Sequence, residues 1–480
     1  MRVLMLGWEY PPHISGGLGT ACEGLTRALA KRGIEIDFVV PHLYGKEDAE
    51  HMRIFGASDS RSPIEIATRA PASIRSTETG RVPTRASVPV DPGSTESSET
   101  FRMISVPAML KPYLDRATYE MLVAEGVGAL PTDVVETLPE AEAVLEAIQE
   151  DAGSEADSGS LDPSPTPEGS REAHYGSDLF AEVARYANAA TRRVRGRRYD
   201  LVHAHDWMTF PAGAEIAARA GAPLVTHVHS LEYDRAAEGA DRDIVAVEHQ
   251  GLELATRVVA VSYYTRGLIH QVHGTNLEKI SVVHNGVYAR ETVQAYTRER
   301  DSKGPVVLFL GRVTFQKGPE YFVEAAARVL QQVPDATFVM AGSGDMLPRM
   351  KAMVENLGIE ESFRFPGFVR GAELERTFST ADVYVMPSVS EPFGIAPLEA
   401  MSYDRPVVVS KQSGVSEVLR NALKVDFWDV DRMASQIVGL LELPELRHVI
   451  VERAREEIRH IHWDAAAEKL IPIYQSLLPN

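Results

Sequence analysis

The sequence predicts an α/β protein whose two parallel-sheet halves face each other across a cleft. Three observations lead there. The chain has 480 residues, 44% of them hydrophobic, which is enough to fill two cores. Short apolar runs rich in valine alternate with helical stretches, first up to about residue 287 and again from Val306 onward, the order expected of parallel sheets. In both series, glycine-bearing loops join a strand to a helix, where backbone amides and a helix amino terminus favour an anionic ligand.

The elements follow in order. Val3-Leu4-Met5-Leu6 is a first strand, residues 20–33 a helix with Ala21, Leu25, Ala28 and Leu29 on one face, and 34–40 the next strand. Residues 56–100 and 151–170 are rich in Ser, Thr, Pro and Gly and are expected to lack a core. Between them, 103–107 reads as a strand and 138–148 as a short helix, so 56–170 is expected to be an insertion within the first half. Regular order resumes with a helix over 179–194 and strands at 201–205, 224–228, 258–261 and 280–287. Residues 290–304 read as a charged linker. Strands are then expected at 306–310, 336–340, 363–365, 383–386 and 407–409, each followed by a helix. The amphipathic helix over 464–478 lies too far from any strand to complete a βα unit and is expected to cross back onto the first half. The domain map is thus 1–295, 303–460 and a terminal helix in 461–480.

The formal charge is −19, of which −11 falls between Asp133 and Glu172, leaving an ordinary −8 elsewhere. That balance excludes nucleic acid as a main partner. No apolar run reaches membrane-spanning length, and the first residues read as a strand and not as a leader, so a cytoplasmic location is expected. Cys22 is the single cysteine, which excludes an intramolecular disulfide and a cysteine metal cluster.

Four constellations carry chemistry. Glu391 and Glu399 bracket Pro392-Phe393-Gly394-Ile395-Ala396-Pro397-Leu398, with Glu391 in a loop after a strand and Glu399 in the following helix. Ligands of open α/β sheets bind at that edge, and an extended ligand could meet one carboxylate at a sugar and the other at a ribose. Arg312 and Lys317 flank a helix start at Gly318-Pro319, so two cations and an amino terminus converge, which suits a diphosphate. Ser15-Gly16-Gly17-Leu18-Gly19 matches neither the Gly-x-Gly-x-x-Gly nor the P-loop pattern and reads equally as a tight turn or a site. In His203-Ala204-His205-Asp206-Trp207 the two histidines share one side of a strand, and His227 and His229 repeat the spacing. A hydrogen-bonding role at the cleft is expected in place of a metal, for want of a third ligand at a recognisable spacing.

Trp8-Glu9-Tyr10-Pro11-Pro12 with Gly16-Gly17-Leu18, His203 to Trp207, Asn285-Gly286-Val287, Gly311 to Gly318 and Glu391 to Glu399 occur in the order found in retaining GT-B glycosyltransferases. The resemblance is closest to the glycogen synthase and family-four group and covers both halves outside 56–170. It implies two Rossmann-like domains and transfer of a sugar from a nucleotide-sugar donor to a glycan hydroxyl, with ADP- or UDP-glucose and an α-1,4-glucan as leading substrates. Another family-four transferase, with a cell-surface glycan or sucrose-like acceptor, is the alternative. It further implies Arg312 and Lys317 as the diphosphate clamp, Glu399 on the ribose, Glu391 beside the donor sugar, Gly394 and Ile395 as loop contacts, and His205 on the sugar. Gly17 would lie beneath the leaving diphosphate, with Gly16 beside it among the substrate-binding residues. Neither cofactor nor divalent metal is implied, and the chain is expected to lack an Asp-x-Asp metal pair. One departure stands out: Ile14-Ser15-Gly16-Gly17-Leu18 replaces the Lys-x-Gly-Gly-Leu of bacterial glycogen and starch synthases.

Overall fold

The structure, a computed structural model, describes residues 1–11, 17–42, 52–55, 101–105, 179–288 and 304–479. The expected helix at 138–148 and the linker at 290–303 lie outside them.

Each half is built on one parallel sheet. The first contains β1 (Arg2–Leu6), β2 (Glu35–Val40), β3 (Met52–Phe55), β4 (Phe101–Ser105), β5 (Leu201–His205), β6 (Leu224–Val228), β7 (Arg257–Ala260) and β8 (Ile280–Val282), in the order β3-β4-β2-β1-β5-β6-β7-β8. The second contains β9 (Val306–Leu310), β10 (Thr337–Ala341), β11 (Phe363–Gly367), β12 (Val383–Met386), β13 (Val407–Ser410) and β14 (Leu423–Val425), in the order β11-β10-β9-β12-β13-β14. Helices cover both faces, which is why runs such as Val-Val-Leu-Phe-Leu and Val-Tyr-Val-Met carry no alternation. The expected strand near 103–107 is β4, and it pairs with β2 from Ile36↔Phe101 to Val40↔Ser105. Two short strands, β3 and β14, are additions to the predicted set.

Strand order reverses between β1 and β5 in the first sheet and between β9 and β12 in the second. Crevices open at the carboxyl ends of strands at such points. The described parts of each predicted motif lie there: Gly17 at the start of the helix after β1, His205-Asp206 after β5, the Arg312–Lys317 loop after β9 and the Glu391 loop after β12.

Separate cores fill the halves. Tyr186, Trp207 and Phe210 are fully buried in the first, and Phe309, Phe322, Phe338 and Phe363 pack in the second, mostly edge-on or tilted, with ring centroids 5.5–6.2 Å apart. A third apolar cluster spans the divide, packing Val261 and Val287 with Met386 and Phe393. The last helix, Trp463–Leu477, lies on the first half, against the helix Gly17–Ala30. Arg32 pairs there with Asp464 and Glu468, at 2.5 and 2.7 Å. A Cβ on Gly24 would sit 2.1 Å from the Trp463 ring, so glycine is what permits the approach.

Candidate active site

A cavity of about 600 Å³ opens between the halves at the two strand-order reversals. Arg312, Lys317, Glu391, Gly394, Ile395 and Glu399 line it from the second half, and Gly17, Asp206, His229 and Asn285 from the first. Gly16 lies outside the described residues.

The second-half wall is two interlocked loops. Gly318 has φ +58, and a Cβ there would lie 2.3 Å from the Pro387 carbonyl oxygen, so the cation loop and the Glu391 loop touch backbone to backbone. Gln316 sits at the junction. Its carbonyl accepts from the Val389 amide at 3.0 Å, while its side-chain oxygen accepts from Arg312 Nη2 at 3.0 Å. Lys317 Nζ donates to Glu391 Oε2 at 2.5 Å, and Ser388 Oγ donates to the same oxygen at 3.2 Å. Glu391 is buried, and this pairing supplies the counter-charge a buried carboxylate requires. Gly394 turns the chain with φ +99 into the helix Ala396–Ser402, whose first turn carries Glu399. Tyr384 ties the reversal together by donating to the Leu310 carbonyl at 3.1 Å.

Across the cavity, Gly17 begins the helix Gly17–Ala30, and a Cβ there would meet nothing within 4 Å. Glu9 Oε1 accepts from the Gly19 amide at 3.0 Å, so a protein carboxylate takes one of the free amides at that helix start. No local spacing marks Glu9 for this role, because its partner lies ten positions further along the chain.

The four histidines stack in two layers. His203 and His205 rings lie 4.3 Å apart on β5, as do those of His227 and His229 at β6. His203 bonds through Nδ1 to the Tyr474 hydroxyl of the last helix and through Nε2 to His227 Nδ1 at 3.2 Å. His205 Nδ1 lies 2.9 Å from His229 Nε2. Burial drives all four rings toward the neutral form, lowering His203 and His229 to about 3. His205, expected on the sugar, is fully buried behind the wall, and the histidine lining the cavity is its partner His229. Alternation along β5 places His203 and His205 together but cannot tell which ring of the cluster reaches the cleft. Ring nitrogens of His203, His205 and His227 lie within 4.8 Å of one another, a spacing that can hold a metal ion. His227, which completes that trio, comes from the neighbouring strand β6.

Asp206 follows β5 with φ +60, an uncommon conformation for a residue other than glycine. Its Oδ1 accepts from the His229 amide at 2.7 Å and the Ser230 amide at 3.3 Å. Burial nevertheless raises its carboxyl to about 7. The motif was legible in the sequence, but the role of its aspartate was not.

The expectation that no Asp-x-Asp is present needs correction. Asp241-Arg242-Asp243 and Asp429-Val430-Asp431 both have that form. Asp241 and Asp429 cap helix amino termini by accepting from backbone amides, and none of these four carboxylates lines the cavity.

Comparison with known proteins agrees with this architecture. Residues 294–457 match the family described as glycosyl transferases group 1, 153–291 match glycosyltransferase family 4, and 2–86 match the starch synthase catalytic domain. An uncharacterized glycosyltransferase of Methanocaldococcus jannaschii is 27% identical, covering 99% of this chain and 98% of that protein. A D-inositol 3-phosphate glycosyltransferase of Acidothermus cellulolyticus is 31% identical over 62% of this chain and 72% of its own length. The glycogen synthase of Mycobacterium tuberculosis is 24% identical over 99% and 94%. Among solved structures, sucrose-phosphate synthase from Thermosynechococcus elongatus superposes with a TM-score of 0.64 at 18% identity, covering 99% of this chain and 98% of that one. Anabaena HepE in complex with UDP-glucose gives 0.59 at 17%, covering 99% and 100%. The chain belongs to the GT-B glycosyltransferases of the family-four type, and its activity is glycosyl transfer. Among the described residues, no helix is long and apolar enough to cross a membrane.

Proposed function

We propose that the chain is a retaining, metal-independent hexosyltransferase that moves glucose from ADP- or UDP-glucose to an α-1,4-glucan. The observation that carries the reading is the Lys317–Glu391 pair beside Arg312, on a cavity wall shared with Glu399 and facing the first half. Arg312 and Lys317 stabilise charge developing on the departing diphosphate, the largest catalytic contribution in such reactions. Glu399 accepts from the ribose hydroxyls. Glu391 orients the donor sugar and offsets positive character at its anomeric carbon, while His229, neutral and hydrogen-bonded to His205, offers a ring to the sugar hydroxyls. The acceptor oxygen bonds the anomeric carbon on the face that the diphosphate leaves, and the acceptor proton passes to a departing phosphate oxygen. The carbon–oxygen bond to phosphate breaks as the new one forms, so no external base is required.

The glucan acceptor is supported by a glycogen synthase whose likeness runs through both halves. A second reading, another family-four transferase with a small acceptor, is favoured by the higher identity to the inositol phosphate enzyme and by Arg235 on the first-half wall. Turnover of ADP-, UDP- and GDP-sugars with glycogen, sucrose or inositol phosphate separates the two. Glucose incorporated into glycogen supports the first, and incorporation only into a small acceptor overturns it in favour of the second.

A further inference from the structure

We infer that Asp234, Tyr264 and Ser390 form a latch between the halves that positions Glu391, a role that rests on the function proposed for that carboxylate. The residues on either side of Glu391 are both gripped from the opposite half. Ser390 Oγ donates to Asp234 Oδ1 at 2.5 Å and lies 2.9 Å from the Tyr264 hydroxyl. The Pro392 carbonyl accepts from Ser262 Oγ at 2.6 Å and from Thr265 Oγ1 at 3.1 Å.

The first-half partners are themselves fixed. Asp234 is buried, and its other oxygen accepts from the Leu231 amide at 2.8 Å. Ser262 caps the helix Tyr263–His273 by accepting from the Thr265 amide at 2.9 Å, and both side chains are fully buried. The second half returns the contact: Glu417 accepts from the Tyr263 and Tyr264 amides at 2.9 and 2.6 Å. Glycine at 414 permits this approach, since a Cβ there would lie 2.4 Å from the Ser262 Cβ.

Within its own half the loop is tied by the Glu391 amide to the Gln412 carbonyl and by the Gly414 amide to the Glu391 carbonyl. Those bonds survive if the halves separate; the bonds to Asp234, Tyr264, Ser262 and Thr265 cannot. The carboxylate of Glu391 keeps Lys317 and Ser388 in either state, but the backbone that carries it is gripped at Ser390 and Pro392 from the opposite half only when the cleft is closed. Arg312, Lys317 and Glu399 belong to the second half alone, so nucleotide binding does not require the latch. A device of this kind makes closure, and not donor binding, the event that completes the site.

Ser390→Ala and Tyr264→Phe each remove one hydroxyl from the junction, and each is expected to lower kcat about tenfold while the Kd for nucleoside diphosphate stays within about twofold. The double variant falls little further than Ser390→Ala, because both changes dismantle the same junction, and Ser390→Thr restores most of the rate. A readout independent of turnover uses spin labels at Arg242→Cys and Glu355→Cys, both exposed, since the native Cys22 is buried. Ser390→Ala should lengthen and broaden the distance between the halves. Unchanged kcat and unchanged distances in both single variants overturn the latch. Equal losses of rate and nucleotide affinity with a lowered Tm also overturn it, by showing a merely structural contact. If the wild type transfers no sugar, the proposed function fails, while the distance measurement still decides whether the halves are latched.

Discussion

Replacing Lys317 with methionine keeps the length of the side chain and removes its charge. Two consequences follow from the geometry. The departing diphosphate loses one cationic partner, which by comparison with loss of a preorganised donor costs about 2–4 kcal/mol at the transition state, or roughly 30- to 1000-fold in kcat/KM. Glu391, whose side chain is only 7% exposed, keeps Ser388 but loses its counter-ion, and Lys317 is itself 21% exposed. Because the pair is not sealed from water, the fold should lose about 1–2 kcal/mol, below the 3–5 kcal/mol of a fully buried pair. The assay is release of nucleoside diphosphate under saturating acceptor, with Tm measured in parallel. Lys317→Arg should recover part of the rate, since the charge returns with a different donor geometry. Wild-type kcat/KM in a folded Lys317→Met enzyme would refute the reasoning, and so would a loss of rate wholly explained by unfolding.

Glu399→Gln should weaken nucleoside diphosphate binding several-fold, because a ribose diol donates to a carboxylate more strongly than to an amide; titration calorimetry checks this. Glu391→Gln should lower kcat and leave that affinity nearly unchanged, and equal loss of affinity in both variants would refute the division of roles. Gly24→Ala should destabilise the fold by about 1–3 kcal/mol and lower Tm, because its Cβ would collide with Trp463 at 2.1 Å. Stability should fall as pH drops from about 6.5 toward 3. The histidine cluster is held neutral in the folded state, with His203 and His229 lowered to about 3, so the unfolded chain binds protons first. Asp206, raised to about 7, opposes this over nearly the same interval, losing stability as pH rises from about 4 to 7, so His229→Asn should flatten the Tm-against-pH curve between about 3 and 6.5 and Asp206→Asn should steepen it between about 4 and 7.

Much of the fold was legible because parallel sheets leave a strong mark. Val306–Leu310 and Val383–Met386 are apolar runs closed by glycine or proline, and the strand ends they define place the Arg312–Lys317 and Glu391 loops at one cleft. Weak strands escaped notice for a physical reason. Leu423–Val425 has three residues with a lysine in the middle, and Met52–Phe55 alternates with an arginine beside a polar stretch, so each is defined by its partner strand and not by its own pattern. Site residues divide the same way. Arg312, Lys317, Glu391 and Glu399 announce themselves by local spacing around a helix start. Glu9 and the Asp234–Ser390 bond do not, and the spacing that marks His229 cannot say that its ring is the one at the cavity; these depend on tertiary contacts, within the first half for Glu9 and His229 and between positions 156 apart for Asp234 and Ser390.

The most direct test of the central claim is to follow nucleoside diphosphate and the product's anomeric configuration together by NMR, in chelator-treated enzyme supplied with UDP- or ADP-glucose. The predicted result is acceptor-dependent release of diphosphate, one per sugar transferred, with an α-linked product from the α-configured donor. A β-linked product, or turnover that returns only on adding magnesium or manganese, would contradict it.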